Sequence, residues 1–190
     1  MTPSILITGA GGYLGKALVD YLRAAGVPVT CCLHSKEERW DGDVVHLDLN
    51  RDDHVASLAG RAKAFYAMVH LAGYVDIRFS GTNAGIPLPG EQNTQRLWQT
   101  NTLATINLAE QVCLPNRIPM LFASSQTVYG MPAEGCPLTE DFRFQPLEHY
   151  AASKAAAETS LELLSRRGLT VCACRIPGIY GGRRKSGIVW

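Results

Sequence analysis

A chain of 190 residues with 18 basic and 17 acidic side chains carries a formal net charge of +1. That balance excludes a surface built on bulk charge for nucleic acid or an acidic membrane. With 46% hydrophobic and 18% charged residues, disorder is excluded too, and one domain with a sizeable core is expected. No apolar run reaches the roughly 18 residues of a membrane span. The opening segment, MTPSILITGAGG, lacks the basic start and long apolar stretch of a secretory signal. Six cysteines (Cys31, Cys32, Cys113, Cys136, Cys172, Cys174) form neither a CxxC pair nor a zinc spacing, so no metal is expected. Cys31, Cys32, Cys172 and Cys174 lie in strand-like runs, where free cysteine behaves as a small hydrophobe. A reducing cytoplasm is the expected location.

In chain order, Ile5–Thr8 predicts the first strand. Leu14, Ala17, Leu18, Tyr21, Leu22 and Ala25 then draw one helical stripe that Gly26 closes. Val29–Leu33, Val44–Leu47 and Ala67–Leu71 read as strands. The Gly- and Pro-rich stretch Ser80–Gly90 reads as a loop. Asn101–Val112 predicts a helix, Met120–Ala123 a strand, Tyr150–Arg167 a helix closed by Gly168, and Val171–Arg175 a last strand. Most of these strands are continuously apolar, as expected for strands covered on both faces. Strand and helix in alternation predict an α/β fold, a doubly wound parallel sheet with right-handed crossovers and helices on both faces.

Two constellations carry chemistry. Thr8-Gly9-Ala10-Gly11-Gly12-Tyr13-Leu14-Gly15 follows the first strand and opens the first helix. Glycine there lets the chain turn sharply and brings backbone N–H groups against a pyrophosphate resting on the helix N-terminus. Tyr150 and Lys154 are four apart at the start of a helix, on one face. A neighbouring ammonium favours the phenolate, which makes the phenol usable as an acid/base near neutral pH. A Tyr-x-x-x-Lys pair by itself is common on helices and acquires meaning only beside the glycine segment. Ser124-Ser125 ends the fifth strand, where a hydroxyl can orient a substrate oxygen; the alternatives are that Ser125 only caps the strand end, or that Ser124 does the orienting.

Together these segments resemble the extended short-chain dehydrogenase/reductase superfamily, in its NAD(P)-dependent epimerase/dehydratase branch. TGAGGYLG at Thr8–Gly15 resembles TGxxGxxG. Asp48-Leu49 resembles the adenine-side acidic dipeptide. Val69-His70-Leu71-Ala72-Gly73 ends the fourth strand as in that branch, and Asn101-Thr102 stands at its structural asparagine. Ser124–Gly130 resembles SSxxVYG, Tyr150–Lys154 is YxxSK, and Arg175–Gly181 resembles RxxxxYG. The resemblance implies a Rossmann-type fold and NAD or NADP as cofactor. It implies catalytic roles for Ser125 (substrate orientation), Tyr150 (acid/base) and Lys154 (nicotinamide ribose, and tuning of Tyr150). It places the cofactor on Gly9, Gly12, Tyr13, Leu14, Gly15, His34, Lys36, Asp48, Leu49, Leu71, Ala72, Gly73, Asn101, Tyr150, Lys154 and Pro177.

Departures from the pattern refine these expectations. No acid stands at Leu33 or His34, where NAD-preferring members carry one, and Lys36 and Arg39 follow, which tilts the expectation toward NADP; as plain solvated loop residues they would carry no such meaning. Gln126 and Thr127 replace an Asp-Glu pair of the dehydratases, which disfavours dehydration. The Arg183-Arg184-Lys185 triplet reads as a solvated turn more readily than as a phosphate contact. The resemblance implies a smaller carboxy-terminal substrate region after RxxxxYG, so residues 1–190 are expected to be one NAD(P)-binding domain truncated before it. The expected function is hydride transfer at a carbinol or keto carbon, of a sugar nucleotide or related small molecule, by an epimerase or dehydrogenase. A simple NADPH-dependent carbonyl reductase and a non-catalytic dinucleotide sensor are the alternatives. Nucleic acid and membrane are excluded as partners, and the sequence leaves room for a homodimer.

Overall fold

The computed structural model describes residues 2–34, 40–75, 93–131, 137–179 and 181. The expectations placed on Lys36, Arg39, Ser80–Gly90 and Arg183–Lys185 lie outside them. Six parallel strands form one sheet in the order β3-β2-β1-β4-β5-β6: β1 Ser4–Thr8, β2 Val29–Leu33, β3 Val44–His46, β4 Phe65–His70, β5 Met120–Ser125 and β6 Val171–Ile176. The order reverses between β1 and β4. Connections on either side of that point leave in opposite directions, opening a crevice beyond the carboxyl ends of the strands, where doubly wound sheets bind ligands. The fold is of the Rossmann type.

Helix α1 (Tyr13–Ala24) lies against β1 and β2, with Gly15 and Val19 buried. Its inward face differs from the expected stripe. Leu18 and Leu22 pack on that core, whereas Ala17 and Ala25 are exposed and Tyr21 is 72% exposed. Glycine at position 15 allows close approach to the glycine loop, and the inward face runs through Gly15, Leu18, Val19 and Leu22. Gly26 does close the helix, at φ +73°. Helix α2 (Asp52–Ala59) was not anticipated. Asp52 and Asp53 suit its first turn, and Val55 and Leu58 are its buried residues.

The helix expected at Asn101–Val112 is the middle of a longer one, α3, over residues 94–116. Turns of α-helix (Thr94–Trp98, Ala104–Leu108, Leu114–Asn116) alternate with π-turns at Gln99–Leu103 and Ala109–Cys113. Each π-turn inserts an extra residue, so the adjacent Asn101 and Thr102 are both buried. Helix α4 (His149–Ser165) begins under a Glu148 cap whose carboxylate accepts from the Tyr150 and Ala151 amides. The larger core joins α2, α3 and α4 to β1, β4 and β5 around Leu6, Met68, Leu108, Phe122 and Leu161. One expectation fails at the sheet edge: β6 is not covered on both faces, and Cys172 and Ala173 are exposed. Among the described residues no helix is long and apolar enough to cross a membrane.

Candidate active site

The glycine segment connects β1 to α1 at the crevice. Gly9 takes φ +70°, and a Cβ there would stand 2.6 Å from Ala72 N and 2.8 Å from Leu71 C. A Cβ at Gly15 would land on the Gly9 carbonyl oxygen and within 2.7 Å of Ala10 Cα. Both positions therefore require glycine: one for its conformation and the β4 crossing, the other for the packing of helix on loop. Gly12 caps α1 without a side-chain hydrogen bond, and the first turn holds no acid. Its amide donors thus face the crevice with no carboxylate of that turn in competition.

A cavity of about 440 Å³ opens there. It brings together Gly9, Gly12, His34, Asp48, Leu49, Leu71, Ala72 and Gly73, all expected to meet a cofactor. At its far end His34 Nδ1 stands 4.0 Å from Asp48 Oδ1. Tyr13, Leu14 and Gly15 form the start of α1 behind the loop and are not in the lining, and neither is Pro177, which is exposed after β6. Asn50, Tyr74, Arg96 and Thr100 line the cavity without having been anticipated. Asn50 and Thr100 are joined side chain to side chain at 3.3 Å, which brings α3 over the loop after β3.

Beyond Gly73 lie the residues expected to serve as acid and base. A Cβ on Gly73 would be 3.2 Å from both Lys154 Nζ and Asn101 Oδ1, so the missing side chain makes room for the lysine. Ser125 is the last residue of β5 and begins a 3-10 turn at Gln126–Tyr129. Its Oγ accepts from the Thr127 amide (3.2 Å) and the Thr127 hydroxyl (2.9 Å). With both lone pairs engaged, its own proton is left to act on the Tyr150 phenol, whose pKa it pulls down. The capping role and the orienting role of Ser125 are therefore compatible. Ser124 points elsewhere, to Glu158.

The electrostatics depart from the expectation that Lys154 depresses Tyr150. The phenol is held above its ordinary value, chiefly by burial and further by the Glu148 carboxylate, against the opposing pull of the Ser125 hydrogen bond. The Lys154 ammonium is buried and donates to the Ala123 carbonyl oxygen at 2.8 Å, lying 4.7 Å from the Phe122 ring centroid. Burial lowers its pKa to about 8, and Glu158 offsets part of that fall. Glu158, one turn further along α4, is buried, ion-paired with Arg175 at 3.0 Å, and bonded to Ser124. Arg175 also donates to the Tyr129 hydroxyl at 2.7 Å. The sequence carried a signal for Glu158: an acid four residues after a helical lysine, on the same face as Tyr150.

His70 was placed only within a strand-end motif, yet it ties the site together. Thr105 Oγ1 gives its proton to the Asn101 carbonyl (2.8 Å), so it accepts from His70 Nε2 at 2.9 Å. Nδ1 is then unprotonated and accepts from Thr8 Oγ1 at 2.5 Å, while Thr8 accepts from the Ala72 amide at 3.3 Å. Burial, with the Lys154 charge adding to it, lowers the pKa of His70 to about 3 and keeps it neutral. Asn101 continues the chain of bonds: its side-chain amide holds both the amide and the carbonyl of Tyr74 and donates to Ser153 Oγ at 3.0 Å. Ser153 in turn donates to the Tyr150 carbonyl. Glycine loop, β4, α3 and α4 are linked by named bonds throughout.

The sequence profile of the NAD dependent epimerase/dehydratase family matches residues 5–189. The chain belongs to this family. Among epimerase/dehydratase relatives, it is 30% identical to UDP-glucose 4-epimerase of Mycolicibacterium smegmatis over 193 residues, covering 94% of this chain and 57% of that protein. It is 32% identical to GDP-6-deoxy-D-mannose reductase of Pseudomonas aeruginosa, covering 84% of this chain and 46% of that one. The structure of UDP-glucose 4-epimerase from Thermus thermophilus, a complex with NAD, superposes with a TM-score of 0.79 at 26% identity, over 96% of this chain and 57% of that one. The chain thus spans about half the length of the epimerase/dehydratase proteins it matches.

Proposed function

We propose that this chain binds NAD(P) and carries the acid/base chemistry of an enzyme that transfers a hydride at a carbinol carbon of a sugar nucleotide, in net reduction or transiently during epimerisation. The observation that carries this reading is the buried Tyr150 phenol, whose pKa the Ser125 hydroxyl pulls down against burial, on one helix face with Lys154, which reaches Gly73 at the glycine-loop cavity. The relatives supply the substrate class: one acts on UDP-glucose and one is a reductase of a GDP-linked deoxysugar.

The residues present fit a dinucleotide, since the cradle at Gly9 and Gly15 is one that any Cβ would fill. Gly9 to Gly15 would hold the diphosphate, His34, Lys36, Asp48 and Leu49 the adenosine half, and Leu71–Gly73, Asn101, Lys154 and Pro177 the other half. When bound, the nicotinamide supplies the hydride acceptor and donor. Tyr150 exchanges the proton of the substrate oxygen, and Ser125 donates a hydrogen bond to that oxygen. A phenol held protonated by burial suits the reductive direction, in which it gives its proton away. In the oxidative direction the phenolate has to form, and the Ser125 hydrogen bond and a positive charge on Lys154 favour it. The Thr127 hydroxyl is committed to Ser125, and neither it nor Gln126 can act as acid or base, which disfavours dehydration. NADP is taken at least as well as NAD, on the missing acid at Leu33 and His34, although Asp48 at that end favours free ribose hydroxyls. A tenfold preference for NAD, about 1.4 kcal/mol, in parallel titrations would reverse that choice.

The test is turnover with UDP- and GDP-linked sugars alongside cofactor binding followed by nicotinamide fluorescence. Tyr150→Phe is expected to remove most turnover with cofactor affinity nearly intact. Lys154→Met is expected to lose both, and Ser125→Ala to cost less than either. Undiminished turnover in Tyr150→Phe would place the acid/base elsewhere.

A further inference from the structure

We infer that Arg96 is the counter-charge for the diphosphate of the bound nucleotide, presented to the glycine loop from the opposite wall of the cavity by its stack on Tyr74. This rests on the cofactor reading above and adds to it a residue that neither the glycine motif nor the acid/base set contains.

A nucleotide diphosphate brings about two negative charges to the start of α1, where the helix supplies the equivalent of roughly half a positive charge. Amide donors satisfy hydrogen bonds but leave most of that charge uncompensated. Arg96 is the one Lys or Arg among the described residues that line the cavity. Its guanidinium lies 4.3 Å from the centroid of the Tyr74 ring. A guanidinium held over a ring face keeps its planar fork of N–H donors, which can meet two phosphate oxygens at once.

The position is built rather than incidental. Tyr74 is pinned on both sides by Asn101, whose Oδ1 accepts from its amide at 2.7 Å and whose Nδ2 donates to its carbonyl at 2.9 Å. The Arg96 amide donates to Asn93 Oδ1 at 3.0 Å, which fixes the first turn of α3. Tyr74 directly follows the segment that packs on Gly9, so the stacked guanidinium belongs to the glycine-loop end of the cavity. Asp48, a carboxylate that repels phosphate, lines the cavity from the loop after β3, on the other side of β1 from β4 and Tyr74. The same charge pattern assigns Arg96 to the diphosphate rather than to a phosphate on the adenosine ribose.

The experiment compares wild type with Arg96→Gln and Arg96→Lys, using ADP-ribose, adenosine and 2′-AMP as probes in calorimetric titrations at two salt concentrations. Arg96 is exposed, so the variants are expected to fold, and their melting curves check it. Arg96→Gln should weaken ADP-ribose at least tenfold, reduce the salt dependence of its binding, and leave adenosine unchanged. Arg96→Lys should recover only part of the loss, because it restores the charge without the stacked plane. Unchanged ADP-ribose affinity in Arg96→Gln would overturn the inference, as would an equal loss for adenosine or a loss confined to 2′-AMP. If wild type itself binds neither ADP-ribose nor NAD, it is the cofactor reading that fails, and this inference with it.

Discussion

Replacing Gly9 with alanine tests the central packing claim of the site, because two separate penalties apply there and one can be measured alone. Gly9 and Gly26 have nearly the same backbone, φ +70° and φ +73°. Gly26 has nothing within 4 Å of a Cβ, whereas Gly9 would place one 2.6 Å from Ala72 N. Left-handed backbone costs an alanine about 1–2 kcal/mol, partly offset by the stiffer unfolded chain, about 0.4–1 kcal/mol. Gly26→Ala should therefore lose roughly 1 kcal/mol, about 2–4 °C of melting temperature for a chain of this size. Gly9→Ala adds an overpacking term of about 1–3 kcal/mol, because the atoms in the way are backbone and cannot rotate aside. Its loss should reach roughly 2–4 kcal/mol, about 4–16 °C. The same displacement parts the glycine loop from Leu71–Gly73, so ADP-ribose affinity should fall in Gly9→Ala and hold in Gly26→Ala. Thermal melts and ligand titrations of the two variants side by side decide the matter. Equal melting shifts with unchanged affinity in both would refute the close approach of loop and strand.

Glu158→Gln should be costly for stability, about 2–4 kcal/mol by loss of a buried ion-pair partner, while Asp53→Asn, which removes the exposed partner of Arg51, should cost far less; denaturant melts that show equal costs would remove Glu158 from the support of Lys154. The pKa of His70 lies at about 3 in the native state, against an unperturbed 6.5. Between those values the unfolded chain binds more protons, so stability falls as pH drops from 6.5 toward 3, by on the order of 1 kcal/mol per pH unit. His70→Gln should flatten that slope in urea melts, and a slope unchanged by the substitution would contradict a buried neutral imidazole. Nitrogen NMR of wild type should show a single Nε2–H tautomer that does not titrate between pH 5 and 8.

Much of this protein was legible in the residues themselves, because local geometry writes local patterns. The parallel sheet followed from continuous apolar runs alternating with helical stretches, and β1, β2 and β5 are buried as those runs imply. Glycine at positions 9 and 15 declared a crowded turn, since no other residue tolerates that backbone or that contact. Tyr150 and Lys154 declared a shared helix face through their spacing alone. What tertiary structure decided depends on partners distant in sequence. The charge state of Tyr150 is governed by burial and by Ser125, twenty-five residues away, and spacing on a helix carries no information about burial. Lys154 turned to the Ala123 carbonyl because strand β5 passes beneath α4. The π-turn at Gln99–Leu103 lets Asn101 and Thr102 both find bonds inward, to Tyr74 and Ser153, and a register shift of one residue leaves no trace in periodicity. The tautomer of His70 is fixed by two threonines, Thr8 and Thr105, and no motif contains both. Arg96 reached the cavity only because α3 crosses above the crevice. A sequence specifies periodicity, turn chemistry and spacing, which act over a few residues; desolvation and hydrogen-bond direction belong to the packed whole.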